Sequence, residues 1–345
     1  MKIYEQDNVI YGAFGAPHGG KSVCRPEEAL FTLGQLLEDW NTNVNYVRNS
    51  KTTWTYTENI QRHILSYWGS GFPLGEMTQK QILEYFAFLK AKKNLSNNTI
   101  NKHRTHLMTV FEYMVQNDDI YGIEINPVRK VRPLKHEPFY YHIYQPDEAK
   151  EILSELKESG DIGLEVAVSI ALYCGCRREE VCALRWDNVD MTNRVLTICE
   201  TRTTAGREVV KMNHTKNHTI RQIGIPDALY DVLKRAGQAQ AKDRKCYGVH
   251  YQGKPDFVLR EKDGTPWHPN NVTKRWARFV KLNGFRYIRY HDLRHTNLSL
   301  LMTKMSAVDV AKLGGHTKVS TTTNIYGHSF NNAVETGVKT MNELL

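Results

Sequence analysis

Apolar residues recur at three- and four-residue intervals over most of the chain, and short alternating runs are confined to a central stretch. Leu30, Leu33, Leu36 and Leu37 fall at helical spacing, followed by a second amphipathic segment through Trp54, Ile60, Ile64 and Leu65. Residues 82–89 form a third. Ser96-Asn97-Asn98-Thr99 opens a fourth that runs through Ile100, Leu107, Val110, Phe111 and Met114. Four helices in residues 28–125 make a small bundle. Residues 1–27 are Gly-rich and weakly patterned, and read as an extension. Pro127, Pro133 and Pro138 interrupt regular structure across residues 126–145, which read as a linker. From residue 146 to 345 a second domain is predicted. Its helices span residues 147–156, 162–173, 226–239, 269–282, 291–305, 306–313 and 320–326, with Gly175 placed to end the second. Residues 194–199, 208–212 and 220–225 are β-like runs. The fold class is therefore mostly α with a small antiparallel sheet (α+β). Phe330, Ala333, Val334, Val338, Met341, Leu344 and Leu345 draw an apolar stripe on a terminal helix that must bury it, on its own domain or on a neighbouring copy.

The length of 345 residues agrees with two domains. There are 46 Lys and Arg against 37 Asp and Glu, a formal charge of +9. A polyanionic partner such as nucleic acid fits this balance, and so does a merely basic soluble protein. None of the six cysteines forms a C-x-x-C pair, so neither a zinc site nor a disulfide framework is expected. No apolar run approaches the ~18 residues of a membrane span, and residues 1–27 lack the apolar core of a signal peptide. A cytoplasmic protein with reduced thiols is expected.

The linker concentrates charge. Arg129, Lys130, Arg132 and Lys135 face a single acid, Glu137, so the stretch suits a DNA backbone as well as it suits solvent. Thr99 and Lys102, with His103, Arg104 and His106, stand near the start of the fourth helix, where phosphate contact and an ordinary polar face are both open readings.

The candidate chemistry lies in the second domain. Arg177 follows the helix-ending Gly175 and begins a new helix that carries Glu180 on its face. An arginine held at such a turn presents a fork matching two phosphate oxygens. His291 and Arg294, three residues apart, share one helix face. Gly314-Gly315-His316 follows a helix that Ser306 can cap, and the glycines allow close backbone approach. Tyr326 comes ten residues after His316, between Asn324 and Gly327-His328. Lys216 sits between two β-like runs, in a predicted hairpin turn, as a solvated charge or a mobile general acid.

Taken in order, these motifs resemble the tyrosine recombinase (phage integrase) family over residues 28–345. The resemblance is carried by Gly175-x-Arg177-x-x-Glu180, Lys216-x-x-Thr219-x-Arg221, His291-x-x-Arg294, Gly315-His316 and Tyr326, and in the helical segment by Leu95-Ser96-Asn97-Asn98-Thr99-Ile100 and Asn126-Pro127. It implies a core-DNA-binding bundle joined to a catalytic domain, and six catalytic residues: Arg177, Lys216, His291, Arg294, His316 and Tyr326. Cys174 stands where the family usually has Thr, and Gly314 where it has Leu; both read as packing variations.

The resemblance implies a site-specific DNA recombinase, of mobile-element or prophage type, that cleaves and rejoins DNA through a 3′-phosphotyrosyl linkage. Tyr326 would be the nucleophile, Arg177 and Arg294 would stabilise the developing charge with a hydrogen bond from His316, Lys216 would protonate the leaving 5′-oxygen and His291 would accept the tyrosine proton. The linkage keeps the energy of the broken bond, so the resemblance implies no need for ATP. No metal or other cofactor is expected. Double-stranded DNA with paired sites is the expected partner, with a tetramer assembled on it and accessory DNA-bending or directionality proteins possible. A type IB-like topoisomerase, a non-catalytic DNA-binding regulator on the same fold, and a chromosome-dimer resolvase are the alternatives.

Overall fold

The computed structural model describes residues 31–121, 123–137, 141–212 and 220–315. They divide into two compact units. One comprises 31–43 and 60–134, the other 44–59 and everything described from 135 onward. The architecture is helical with small antiparallel sheets, the predicted class.

In the first unit, α1 (Leu33–Trp40) starts where Thr32 accepts from the Gln35 N–H and Gln35 reaches back to the Thr32 N–H. α2 (Tyr46–Arg48), a single turn, and the first half of α3 (Lys51–Trp68) belong to the other unit, while the second half of α3 supplies Ile60 and Ile64 to this unit's core. α4 (Gln79–Ala91) repeats the reciprocal cap with Thr78 and Gln81. α5 (Asn97–Gln116), capped by Ser96, runs on to α6 (Asp118–Tyr121). Leu33, Leu36, Ile64, Ile82, Leu89, Ile100, Leu107 and Phe111 are all at 0% exposure, so the periodic positions do face one core.

Two positions on α5 depart from expectation. His103 and His106 point inward: both are buried, with His103 Nδ1 hydrogen-bonded to Tyr85 Oη at 2.9 Å and the His106 ring set edge-on to Trp40 at 5.1 Å. Burial first, then a neighbouring histidine, lowers each imidazole from 6.5 to about 4. These rings are core and are not phosphate contacts. A folded-state pKa below the unfolded one means that stability is complete above about 6.5 and falls away as pH drops towards 4. Going from pH 7.5 to 5 should cost this unit on the order of 2 kcal/mol per histidine. Amide-exchange protection of α5, corrected for intrinsic rate, measures this, and unchanged protection at pH 5 would contradict it.

The linker also differs. Its first half is packed: Val128 and Val131 are buried, Asn126 donates to the Met108 carbonyl at 3.0 Å, and Asn101 brackets Leu134 through bonds of 2.9 and 2.8 Å. Arg104 Nε donates to the Val131 carbonyl at 2.6 Å, so Arg104 serves as a staple for the chain.

The second unit is built around α8 (Ile162–Cys174). It is apolar on nearly every side and consequently buried on nearly every side. α7 (Pro146–Glu158) packs against it. Gly175 ends α8 in the left-handed conformation at φ +60°, as predicted, and α9 (Arg178–Ala183) follows. β1 (Val189–Asp190), β2 (Val195–Ile198) and β5 (Arg221–Gly224) form one antiparallel sheet in the order β1-β2-β5. β3 (Thr201–Ala205) and β4 (Glu208–Met212) form a separate hairpin. The strands that flank Lys216 thus belong to different sheets: β4 pairs with β3, and β5 pairs with β2, with Ile198 opposite Arg221. The expected β4–β5 hairpin around Lys216 is not formed, and Lys216 lies outside the described residues. α10 (Asp227–Tyr247), α11 (Pro269–Leu282), α12 (Tyr290–Met302) and α13 (Ala307–Gly314) complete the unit. α12 is pinned to α8 by Tyr290 Oη donating to the Ala167 carbonyl at 2.6 Å and Asn297 Nδ2 donating to the Leu172 carbonyl at 2.8 Å.

Candidate active site

Three arginines converge on two helix-ending turns. Arg177 precedes α9, where its N–H donates to Glu180 Oε2 at 2.8 Å. Its guanidinium donates from Nη1 to Glu180 Oε1 at 2.9 Å and from Nη2 to the Gly315 carbonyl at 3.0 Å, and 20% of the side chain stays exposed. Arg294, on α12, is 1% exposed; Nη1 donates to the Gly175 carbonyl at 2.6 Å and Nη2 to the Gly314 carbonyl. One fork therefore joins the turn before Arg177 to the turn before His316.

The glycines make this approach possible. Gly315 caps α13 at φ +63°, and a Cβ there would lie 3.2 Å from Arg221 Nη1 and 3.5 Å from Arg177 Nη1. A Cβ on Gly314 would lie 3.1 Å from Arg294 Nη2. Ser306 caps α13 as expected, accepting from the Asp309 N–H at 3.2 Å.

Glu180 is the hub. It is 1% exposed, and burial alone would raise its pKa; hydrogen bonds and charge from Arg221, with Arg177 adding to them, bring it down to about 2. It remains ionised at any working pH. Cys176, beside it, is driven up to about 12 by burial, then by Glu180, so it is an inert thiol.

His291 is exposed, at the start of α12. Desolvation by its surroundings, then the Arg294 charge, holds its imidazole below the ordinary value. The His295 ring stands edge-on to it at 5.0 Å and packs at 4.1 Å on Tyr141. His295 is buried and lowered to about 3, by desolvation and then by His291, so it stays neutral.

Of the six predicted catalytic residues, Arg177, His291 and Arg294 are brought to this cluster. Lys216, His316 and Tyr326 lie outside the described residues, as does the terminal helix expected over residues 330–345. Motif spacing assigns no role to Arg221 or His295: the first stands only as the last member of its motif, the second only beside Arg294. Among the described residues no group of three or more His, Cys, Asp or Glu is arranged to hold a metal ion, and no helix is long and apolar enough to cross a membrane.

The predicted DNA contacts sit on the other unit and on the linker. Lys102 is exposed, while Thr99 is bonded to Ser96 Oγ through its own Oγ1 at 3.0 Å. Arg129, Lys130, Arg132 and Lys135 are exposed, but Arg129 forms a close ion pair with Glu112. Neutralising Lys130, Arg132 or Lys135 should each lower the salt slope of DNA binding by roughly one, and Arg129→Ala by less, since Glu112 competes for that fork. Equal slopes in wild type and the quadruple alanine variant would remove the linker from the interface.

The model of the phage integrase family matches residues 143–333, more than half of the chain, and that of the phage integrase N-terminal SAM-like domain matches residues 36–119. The chain belongs to the phage integrase family. It is a tyrosine recombinase, the enzyme class anticipated from the motif order. Among its relatives is the ICEBs1 integrase of Bacillus subtilis (strain 168), 25% identical over 303 residues, which are 87% of this chain and 78% of that one. Its fold is similar to the Tn1549 transposon integrase in complex with a circular intermediate DNA, with a TM-score of 0.74, 19% identity, and coverage of 90% of this chain and 99% of that chain. It is also similar to a lambda integrase tetramer bound to a Holliday junction, with a TM-score of 0.64, 17% identity, and coverage of 86% and 78%.

Proposed function

We propose that this integrase exchanges strands between paired sites at the ends of a mobile element, using Arg177, Lys216, His291, Arg294, His316 and Tyr326. The observation that carries this reading is the binding of Arg177 and Arg294 to successive carbonyls, Gly315 and Gly314, of the turn leading into His316. Arginines 117 positions apart in sequence, with the second well away from the first in the fold's chain order, thereby share one anchor.

The step balances as follows. Tyr326 Oη attacks the scissile phosphorus, its proton passes to the His291 imidazole, the P–O5′ bond breaks, and the 5′-oxygen takes a proton from Lys216. Arg177 and Arg294 neutralise the oxygens on which charge grows, and His316 adds a hydrogen bond. The lowered pKa of His291 suits it to accept a proton at neutral pH, because the free base is already the dominant form. Resealing by a partner 5′-hydroxyl reverses each transfer.

Exchange between two duplexes breaks four strands and calls for four protomers, an assembly of the kind named for the lambda integrase on a Holliday junction. Accessory DNA-bending or directionality proteins and a cytoplasmic setting belong to this proposal. The experiment is to sequence the DNA that flanks the gene for a pair of imperfect repeats and to place one or two copies of such a repeat on a plasmid. Recombinant products from the two-site plasmid alone support the proposal. Relaxation of both plasmids without exchange favours the topoisomerase reading, and binding without covalent chemistry favours a regulator.

A further inference from the structure

We propose that Arg221 is a positioning residue that takes up most of the Glu180 carboxylate, limits the hold of Glu180 on the Arg177 side chain to Nη1, and so leaves the remaining N–H groups of Arg177 for the scissile phosphate. The inference rests on the catalytic reading above. Arg221 opens β5, and only 8% of its side chain is exposed, so it acts through other groups. Nη1 and Nη2 donate to the two oxygens of Glu180 at 3.0 and 2.7 Å, a bidentate pair, while Nε donates to the Leu313 carbonyl at 3.0 Å.

The division of labour follows from counting charges and donors. Glu180 is one negative charge between two arginines. Arg221 meets it with both ends of its fork, whereas the Arg177 side chain meets it with Nη1 alone. The carboxylate is thus largely neutralised from the buried side, and the more exposed cation keeps its surplus charge. A buried carboxylate that loses its bidentate partner is costly to leave half-satisfied. Without Arg221, the nearest remaining fork is that of Arg177, which would turn from the phosphate towards Glu180.

Arg221 also couples segments. Through Glu180 it fixes the backbone N–H that starts α9, and through Leu313 it fixes the last turn of α13, one residue before the Gly314–Gly315 pair. One guanidinium therefore ties together the start of α9, the start of β5 and the last turn of α13.

The test uses the full chain, a nicked suicide duplex built on a site that the plasmid experiment above shows to recombine, and a second duplex with a neutral methylphosphonate at the scissile position. A neutral phosphonate places less demand on a cation in the Arg177 position. Arg221→Gln should lower single-turnover cleavage of the ordinary phosphate by about 30-fold or more, and that of the methylphosphonate by less than about threefold, with half-site binding unchanged. Arg221→Lys keeps the charge and loses the fork; it should fold and show the same discrimination at a smaller scale. Equal losses on the two duplexes in Arg221→Lys, or no loss on either, would overturn the role. A wild-type protein that forms no adduct would instead overturn the catalytic reading beneath it, so the two failures are distinguishable.

Discussion

Tyr326→Phe is expected to bind DNA normally and to form no covalent adduct. In the proposed step the phenolic oxygen becomes bonded to phosphorus, and phenylalanine keeps the ring while removing only that atom. Loss of a nucleophile typically costs ~10⁴–10⁶ in rate, beyond what a single-turnover gel can detect. Wild type and variant are incubated with a nicked suicide duplex and resolved on a denaturing gel, with a native gel shift as the control for binding. A retarded band that persists in the variant would assign the attack to another residue.

The second large effect concerns Arg294, where chemistry and stability should fall together. Arg294→Ala removes a preorganised charge donor, an expected loss of ~10²–10³ in cleavage. It also leaves the Gly175 and Gly314 carbonyls without their donor, at about 1–3 kcal/mol for each buried group. The thermal midpoint should therefore drop along with the rate. Arg294→Lys separates the contributions. An ammonium keeps the charge but lacks the planar fork that spans both carbonyls, so stability recovers in part while cleavage stays at least about tenfold down. Cleavage within threefold of wild type in Arg294→Ala would remove this residue from the proposed phosphate clamp.

Much of the architecture could be read from local pattern, because local pattern decides it. The 3.6-residue period, Ser96 and Ser306 at helix starts and Gly175 at a helix end each act within a turn or two of themselves. Strand partnership does not. The β-like runs before and after Lys216 are neighbours in sequence, yet the partner of β5 is β2, where Ile223 meets Leu196 across the sheet. β3 escaped notice because Thr201-Arg202-Thr203-Thr204-Ala205 has almost no apolar residue to mark an alternating face.

The site shows the same division. Motif spacing singled out Arg177, His291 and Arg294, whose convergence the fold displays. It did not reveal what holds them. Arg221 at the start of a strand looks in sequence like any solvated charge, and its partner Glu180 is 41 residues away. His103 could have been placed correctly. It falls three residues after Ile100 and four before Leu107, on the inward face of the same helix, but its polarity outweighed its position.

Gly175 and Gly315 close two different helices, both in the left-handed conformation, and both turns carry a carbonyl held by an arginine of the candidate site. A side chain at either position meets two independent objections, one from its own backbone and one from a neighbour: a Cβ would lie 2.5 Å from Asn297 Oδ1 at Gly175 and 3.2 Å from Arg221 Nη1 at Gly315. These turns are therefore the fixed frame of the enzyme for anyone redirecting it to a new DNA sequence. If the proposed DNA contacts hold, randomisation belongs on the exposed faces of α5 and the linker, where a changed residue alters what is gripped without disturbing these turns.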